Sequence, residues 1–505
     1  MKLRYFVAGA IALTATISVL GAVIGPAWRP REIVNDIVPT APETDVHTAN
    51  PVPVGTYEIR EQVVDVDLGG VTVRALVRSP LGLDADLSAV VFMHGAGTHD
   101  LTGFADQAAA LTSAGIVTVV PDKGMANYST AHRDYGALAV DYGRSVTMAA
   151  GLPGVTSVGI YAESEGAYSA PILATTQENV DFVVLISPPV VPARQQSAFA
   201  TDNYLRNVGV PSALLRTIPR ALGVEMPFGT LRYADFDPQP YQQQMTQPTF
   251  LAFGTGDASM PLVQATEQLR DDLAVAGNDA LTTRFYADAN HGMKLGTGDD
   301  QVLDAGFAQG LADWIHGLDD SAHEEPRIAG AQPHQTYAAD PLPHVRWFLS
   351  GNALVVTHGA ALVLFAGGAT AAGVQWLVGR SRRRAGMDAV AQLPRTTAWL
   401  LGGAGVLTLA AWGAFGVYIQ RVAYLAFNYL RDPAWTFGVY TVQQIVAFAA
   451  AAVLAAALVS GHLNRDQIAG ARRAVFGTTA GGTLALLVLL AYWGGFPDIT
   501  GGAGI

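Results

Sequence analysis

The stretch Ser157–Ala170, SVGIYAESEGAYSA, decides the reading of this chain. A β-rich run ends in Ala162-Glu163-Ser164-Glu165-Gly166, and alanine-containing helical sequence follows. A strand that doubles back sharply into a helix needs small residues two before and two after the turn, or side chains collide. Ala162 and Gly166 meet that need. The turn lifts the Ser164 hydroxyl above the sheet and leaves the following N–H groups free. The pattern is G-x-S-x-G with alanine first. As a bare pentapeptide it arises often by chance; after a strand, before a helix and mid-domain, it marks Ser164 as the candidate nucleophile.

Upstream, Val90–Gly97 reads VVFMHGAG, a buried strand running into glycines. Such a turn can aim a backbone N–H at a substrate oxygen. Ala96 is the expected first oxyanion donor, with Gly97 the alternative, and the N–H of Glu165 is the second. His94 comes too early for the chain order Ser…Asp…His and reads as a structural turn residue. Downstream, TFLAFGTGDASM (249–260) is a strand leading to Asp257, and TRFYADANHGMK (283–294) a strand leading to His291. Asp288 is too near His291 to orient it from another loop, and Asp235 and Asp237 fall in an insert. The expected catalytic set is therefore Ser164, Asp257 and His291, each just past the C-terminal end of a strand. Glu163 and Glu165 flank the nucleophile. Solvation, or bonds to nearby backbone, is the plainer expectation; repulsion of anionic substrates or binding of a cationic group is the sharper one.

These strands belong to a longer rhythm. Val63–Leu68 and Val71–Arg78 read as a hairpin, and Ala89–Met93, Ile116–Val120, Ser157–Tyr161, Phe182–Ile186, Thr249–Phe253 and Thr283–Tyr286 as buried strands separated by helical stretches. That is the βαβ pattern of a parallel sheet with helices on both faces. Residues 188–247 interrupt it and read as a helical cap. Its apolar Phe199, Leu214, Leu215, Ile218, Leu222, Met226 and Phe228 would form either the cap's own core or an acyl pocket.

Residues 57–318 resemble the α/β-hydrolase superfamily, and within it esterases related to dienelactone hydrolases and acyl-peptide hydrolases. The resemblance rests on HGAG at His94–Gly97, AESEG at Ala162–Gly166, GDASMP at Gly256–Pro261 and NHG at Asn290–Gly292. It implies a serine hydrolase working through an acyl-enzyme without metal or organic cofactor. It fixes no substrate, because this fold hosts many chemistries.

Composition frames the remainder. Of 505 residues, 50% are hydrophobic and only 14% charged, so part of the chain avoids water. A net charge of −12 argues against nucleic acid, and the absence of cysteine excludes disulfides, thiolate catalysis and Cys-ligated metals. Five uncharged runs can each cross a bilayer: Tyr5–Trp28, and about Asn352–Gly379, Thr396–Gln420, Val439–Gly461 and Ala474–Phe496. Aromatic residues lie near their ends, as at interfaces, and Gly477 and Gly481 have GxxxG spacing for close helix packing. A cleaved signal peptide is the rival reading of the first run.

The expected organisation is a transmembrane anchor (1–28), a linker (29–54), an α/β-hydrolase domain (55–318, cap 188–247), a second linker (319–346) and a four-helix transmembrane domain (347–505). Arg380, Arg382, Arg383, Arg384 and Arg395, and later Arg465, Arg472 and Arg473, mark cytoplasmic loops; Arg29 and Arg31 argue locally against this. The hydrolase domain is then extracytoplasmic, on an integral protein of the plasma membrane. The expected partners are the membrane and an acyl ester substrate, lipid or envelope-linked esters being the natural class. Two alternatives stay open: a peptidase or acyltransferase on the same triad, and a transport or signalling protein with a degenerate hydrolase domain. The complete triad and the charge-free spans weigh against the last.

Overall fold

A computed structural model of the chain describes residues 2–227, 230–323, 325–387 and 392–497. In chain order these residues form α1 (Lys2–Val23), β1 (Ile59–Asp67), β2 (Thr72–Pro80), β3 (Leu87–Met93), α2 (Ala105–Ser113), β4 (Val117–Pro121), α3 (Tyr135–Ala150), β5 (Val155–Glu163), α4 (Gly166–Thr176), β6 (Phe182–Ile186), α5 (Ala193–Val208), β7 (Thr249–Gly254), α6 (Leu262–Val275), β8 (Leu281–Tyr286), α7 (Ala305–His316), β9 (Ile328–Gly330), α8 (Gly351–Arg384), α9 (Arg395–Phe427), α10 (Tyr440–Leu463) and α11 (Ala471–Tyr492). The chain divides into two units, one of residues 30–200 and 230–341, the other of residues 1–29, 201–229 and 342–505.

In the first unit nine strands form one sheet in the order β1-β2-β4-β3-β5-β6-β7-β8-β9. β1 and β2 pair antiparallel, and β2 meets β4 antiparallel. From β4 to β9 every pairing is parallel. Alternate residues fill opposite faces, as the two-residue period requires. Val91, Ile160, Leu185 and Leu251 pack on one side with Tyr142, Leu173 and Leu269 of α3, α4 and α6. Val90, Phe92, Tyr161 and Phe250 pack on the other with Leu111 of α2 and Trp314 of α7. Because β3, β5, β7 and β8 are parallel, their C-terminal ends lie along one edge, and the loops that leave them converge there.

The two stretches read as linkers are not free. β9 adds to β8, and the early segment runs beside it: Thr40 donates to Ile328 O at 3.0 Å, Ile33 to Thr336 O at 3.0 Å, and Arg31 pairs with Asp340 at 2.9 Å. β9 covers the edge of β8, and the early segment in turn covers β9, so neither edge is left with its backbone groups unpaired.

Among its described residues the second unit contains five helices long and apolar enough to cross a membrane: Arg4–Val23, Gly351–Arg384, Arg395–Phe427, Ala434–Leu463 and Ala471–Tyr492. Their contact layer includes Ile17, Leu401, Ala447, Leu454 and Leu487. The expected GxxxG pair does not make the close approach, since a Cβ built on Gly477 or Gly481 meets nothing within 4 Å. Gly482 does, its Cβ falling 2.4 Å from Phe365 N of α8.

The cap expectation is also revised. Residues 201–229 group with the apolar helices, not with the sheet. Leu214 packs in the same cluster as Ile17 and Leu487. Arg220, 1% exposed, donates to Gly21 O at 2.9 Å, to Ala22 O at 3.3 Å and to Tyr492 O. Those carbonyls end α1 and α11, where helices leave acceptors unsatisfied and carry the negative end of their dipoles. A guanidinium with five fixed donors suits such a junction. Phe199 alone of the apolar set packs in the sheet unit, and Phe228 lies outside the described residues.

Candidate active site

The turn from β5 to α4 holds Ser164 at φ +56°, the left-handed region that a non-glycine residue enters only under constraint. Its N–H donates to Ile186 O of β6 at 2.9 Å, which anchors the turn to the sheet. A Cβ on Gly166 would fall 2.5 Å from Met93 O, so α4 can start there only with glycine. Gly95 also passes close, its built Cβ 3.1 Å from both Glu163 O and Ser164 Cβ. Neither the N–H of Ala96 nor that of Glu165 is engaged by a protein acceptor among the described residues.

At the neighbouring strand ends, His291 Nδ1 lies 2.7 Å from Asp257 Oδ2. The Asp257 carboxylate is wholly buried and the His291 side chain is 33% exposed. Asp257 Oδ1 accepts from Ser259 N at 2.8 Å and Ser259 Oγ at 2.6 Å, and that Oγ is 3.2 Å from His291 Nδ1. Ser187 Oγ donates to His291 O at 3.0 Å and fixes the loop from below. Burial opposes ionisation of Asp257, yet the charge and hydrogen bonds of His291 and Ser259 hold it below the usual carboxylate range. Burial likewise opposes the imidazolium, but Asp257, by charge and hydrogen bond, and then Glu163 raise His291 to about 9. Among the described residues Ser164 Oγ makes no hydrogen bond; in a site without substrate such bonds are often long and tighten on binding.

The two glutamates occupy neither expected environment. Glu165 accepts from Tyr128 Oη at 2.7 Å, from Tyr135 Oη at 2.9 Å and from Arg133. Glu163 Oε2 is shielded from water and has no partner, and a Cβ built on Gly292 would lie 3.9 Å from its Oε1. Burial raises the Glu163 carboxyl to about 7, while His291 and Lys294 pull it back.

Lys123, buried after β4, donates to Gly95 O at 2.6 Å and lies 3.8 Å from the Tyr128 ring centre. Burial lowers it to about 8 despite the opposing pull of Glu165. It thereby fixes the loop that carries Ala96. His94 is turned inward: Nε2 lies 2.7 Å from Pro121 O, its N–H donates to Tyr142 Oη, and burial brings it down to about 4, so it stays neutral.

The strand order, the strained serine after the central parallel strand, and the Asp–His pair at adjoining strand ends decide the architecture. The fold is that of an α/β-hydrolase. No family model and no curated protein matches the chain. Among solved structures it is similar to an esterase of Pyrococcus furiosus (16% identity, TM-score 0.32, covering 49% of this chain and 90% of that one). It is similar too to the esterase Est1E of Butyrivibrio proteoclasticus (12%, 0.35, 52% and 98%). A third is the dienelactone hydrolase of Anabaena variabilis (18%, 0.34, 51% and 98%). At such identities and scores, what those proteins act on stays with them.

Proposed function

We propose that this α/β-hydrolase is a membrane-anchored serine hydrolase that cleaves acyl esters. The observation that carries the reading is the strained Ser164 turn on the sheet edge where His291 is paired to a buried Asp257. His291 Nε2 takes the Ser164 proton as Oγ attacks the acyl carbon, and Asp257 stabilises the imidazolium. The free N–H groups of Ala96 and Glu165 receive the oxyanion, each such donor contributing ~3 kcal/mol in the transition state. The tetrahedral species collapses with loss of the alcohol, which takes the proton from His291. Water, deprotonated by His291, then releases the acid and restores Ser164. No metal or organic cofactor enters these steps. An ester asks less of this machinery than an amide, because an alkoxide leaves more readily than an amine anion.

The five apolar helices support anchoring in the plasma membrane. The arginines at the end of α8 and start of α9, and those between the end of α10 and the start of α11, favour those two connections on the cytoplasmic side, which puts the hydrolase unit outside. Esters at the envelope surface are then the natural substrates. Full-length protein in detergent should hydrolyse nitrophenyl acyl esters, and Ser164→Ala should abolish this. Turnover of peptide anilides without esters would replace the esterase reading by a peptidase.

A further inference from the structure

The helical unit carries a cavity that ester hydrolysis does not use. α8 packs chiefly along α11, and α9 along α10. The two consecutive helices α8 and α9 therefore leave a gap toward the loop that joins them. It holds a cavity of about 820 Å³, within the ~300–1,000 Å³ range of small-molecule sites. Towards the middle of the helices the gap narrows, where the Phe365 ring meets α9 and a Cβ built on Gly405 would be 2.9 Å from Phe365 Cε2.

The two ends of the cavity differ in chemistry. At the loop end stand Gln375, Trp376, Gln392, Arg395 and Trp399, a set rich in N–H donors; no carboxylate lines the cavity among the described residues. Gln392 Nε2 is shielded from water and has no hydrogen-bond partner there, and a buried donor without an acceptor is costly. The Arg380 guanidinium sits 5.4 Å from the Trp376 ring centre, at the mouth. From Arg380 to Arg395 the sequence carries five arginines against one acid, Asp388, which lies outside the described residues. The inner end is apolar, lined by Ala398, Gly402 and Val475.

A ligand that suits both ends has an anionic, acceptor-rich head and a hydrocarbon tail. We infer that this cavity binds an anionic glycerophospholipid, its phosphate on Gln392 and Arg395 and an acyl chain along Gly402 and Val475. The inference rests on the reading that these helices span a membrane. Basic pockets between spanning helices on the arginine-rich side recognise such head groups by charge. A free phosphate would satisfy the donors but leave the apolar half of the cavity empty.

The test is native mass spectrometry of the full chain in detergent, titrated with phosphatidylglycerol and with phosphatidylcholine of identical acyl chains. Phosphatidylglycerol should be retained about tenfold more tightly. Arg395→Gln should weaken it about fivefold and narrow its lead over phosphatidylcholine, whereas Gln392→Leu, which removes a donor that either phosphate can use, should weaken both lipids. A Cβ on Gly402 meets nothing within 4 Å. Gly402→Leu should therefore fill the cavity without moving backbone and remove both lipids. An unchanged helical circular-dichroism signal and elution volume in detergent, equal in all variants, report that the helical unit folds. Equal retention of the two lipids, unchanged retention in Arg395→Gln and Gly402→Leu, or displacement by millimolar inorganic phosphate would overturn the inference. Extraction of the chain without detergent would instead overturn the membrane reading beneath it.

Discussion

Replacing Glu163 by glutamine tests the electrostatics of the site without changing its shape. The carboxyl lies beside the His291–Gly292 loop, its Oε2 shielded and unpartnered. His291, Lys294, Asp257 and Tyr161 are the titratable groups that face it. Above about 7 it is an anion, and an anion beside His291 favours the imidazolium; this is one of the causes that raise His291 to about 9. The base must be neutral to act, so activity rises with pH through the His291 pKa, and a raised pKa moves that limb to higher pH. A neighbouring charge within ~4–6 Å moves a pKa by ~1–3 units. His291 is one-third exposed, and discounting for that leaves ~1.4 kcal/mol, or about one pKa unit. In Glu163→Gln the acid limb of kcat/KM for a nitrophenyl ester should therefore move down by about one pH unit. The plateau should fall by up to about tenfold, because the imidazolium of the transition state loses the same support. The pair titrates as a unit, so the limb reports macroscopic values. The assay is kcat/KM from about pH 5 to 10. An acid limb that stays in place or moves upward would refute the reasoning.

Other outcomes follow from the same structure. Asp257→Asn should lower kcat by about 10⁴, as loss of the carboxylate misorients the imidazole; steady-state kinetics on the same ester measures it, and full activity would exclude Asp257 as the orienting acid. Arg220→Leu leaves the carbonyls that end α1 and α11 without their donor and should lower stability by about 3 kcal/mol, read as an earlier thermal transition in detergent. Arg220→Lys should recover little, since an ammonium lacks the planar fork. The chain has no cysteine, so single cysteines report topology cleanly. An impermeant maleimide should label Val302→Cys on intact cells and Met387→Cys only after lysis; the reverse pattern would invert the proposed orientation.

How far the sequence discloses this molecule depends on the range of each interaction. The eight strands β1 to β8 were legible because buried strands read as short apolar, β-branched runs bounded by turns. The elbow was legible because its constraint is local: Gly166 is needed against Met93 O, and AESEG records that need. Asp257 and His291 were read from chain order together with their places just past strand ends. Ser259 was missed although GDASM contains it, since its hydroxyl matters only once Asp257 and His291 come together. Lys123 reaches Gly95 O, and Tyr128, Arg133 and Tyr135 reach the Glu165 carboxylate, all from the connection between β4 and the start of α3, and no spacing announces that. The three residues of β9 are too few to show a period. Leu214 and its neighbours present the same apolar pattern whether they fill a cap or pack against long apolar helices, and only tertiary contacts decide between the two.

The central claim is that Ser164 is the nucleophile, and covalent mapping tests it most directly. Full-length protein treated with a fluorophosphonate should carry one adduct, located by peptide mass spectrometry on Ser164. The adduct should be absent from Ser164→Ala and reduced by orders of magnitude in Asp257→Asn. Undiminished labelling of Ser164→Ala, or an adduct on another residue in the native protein, would contradict the account.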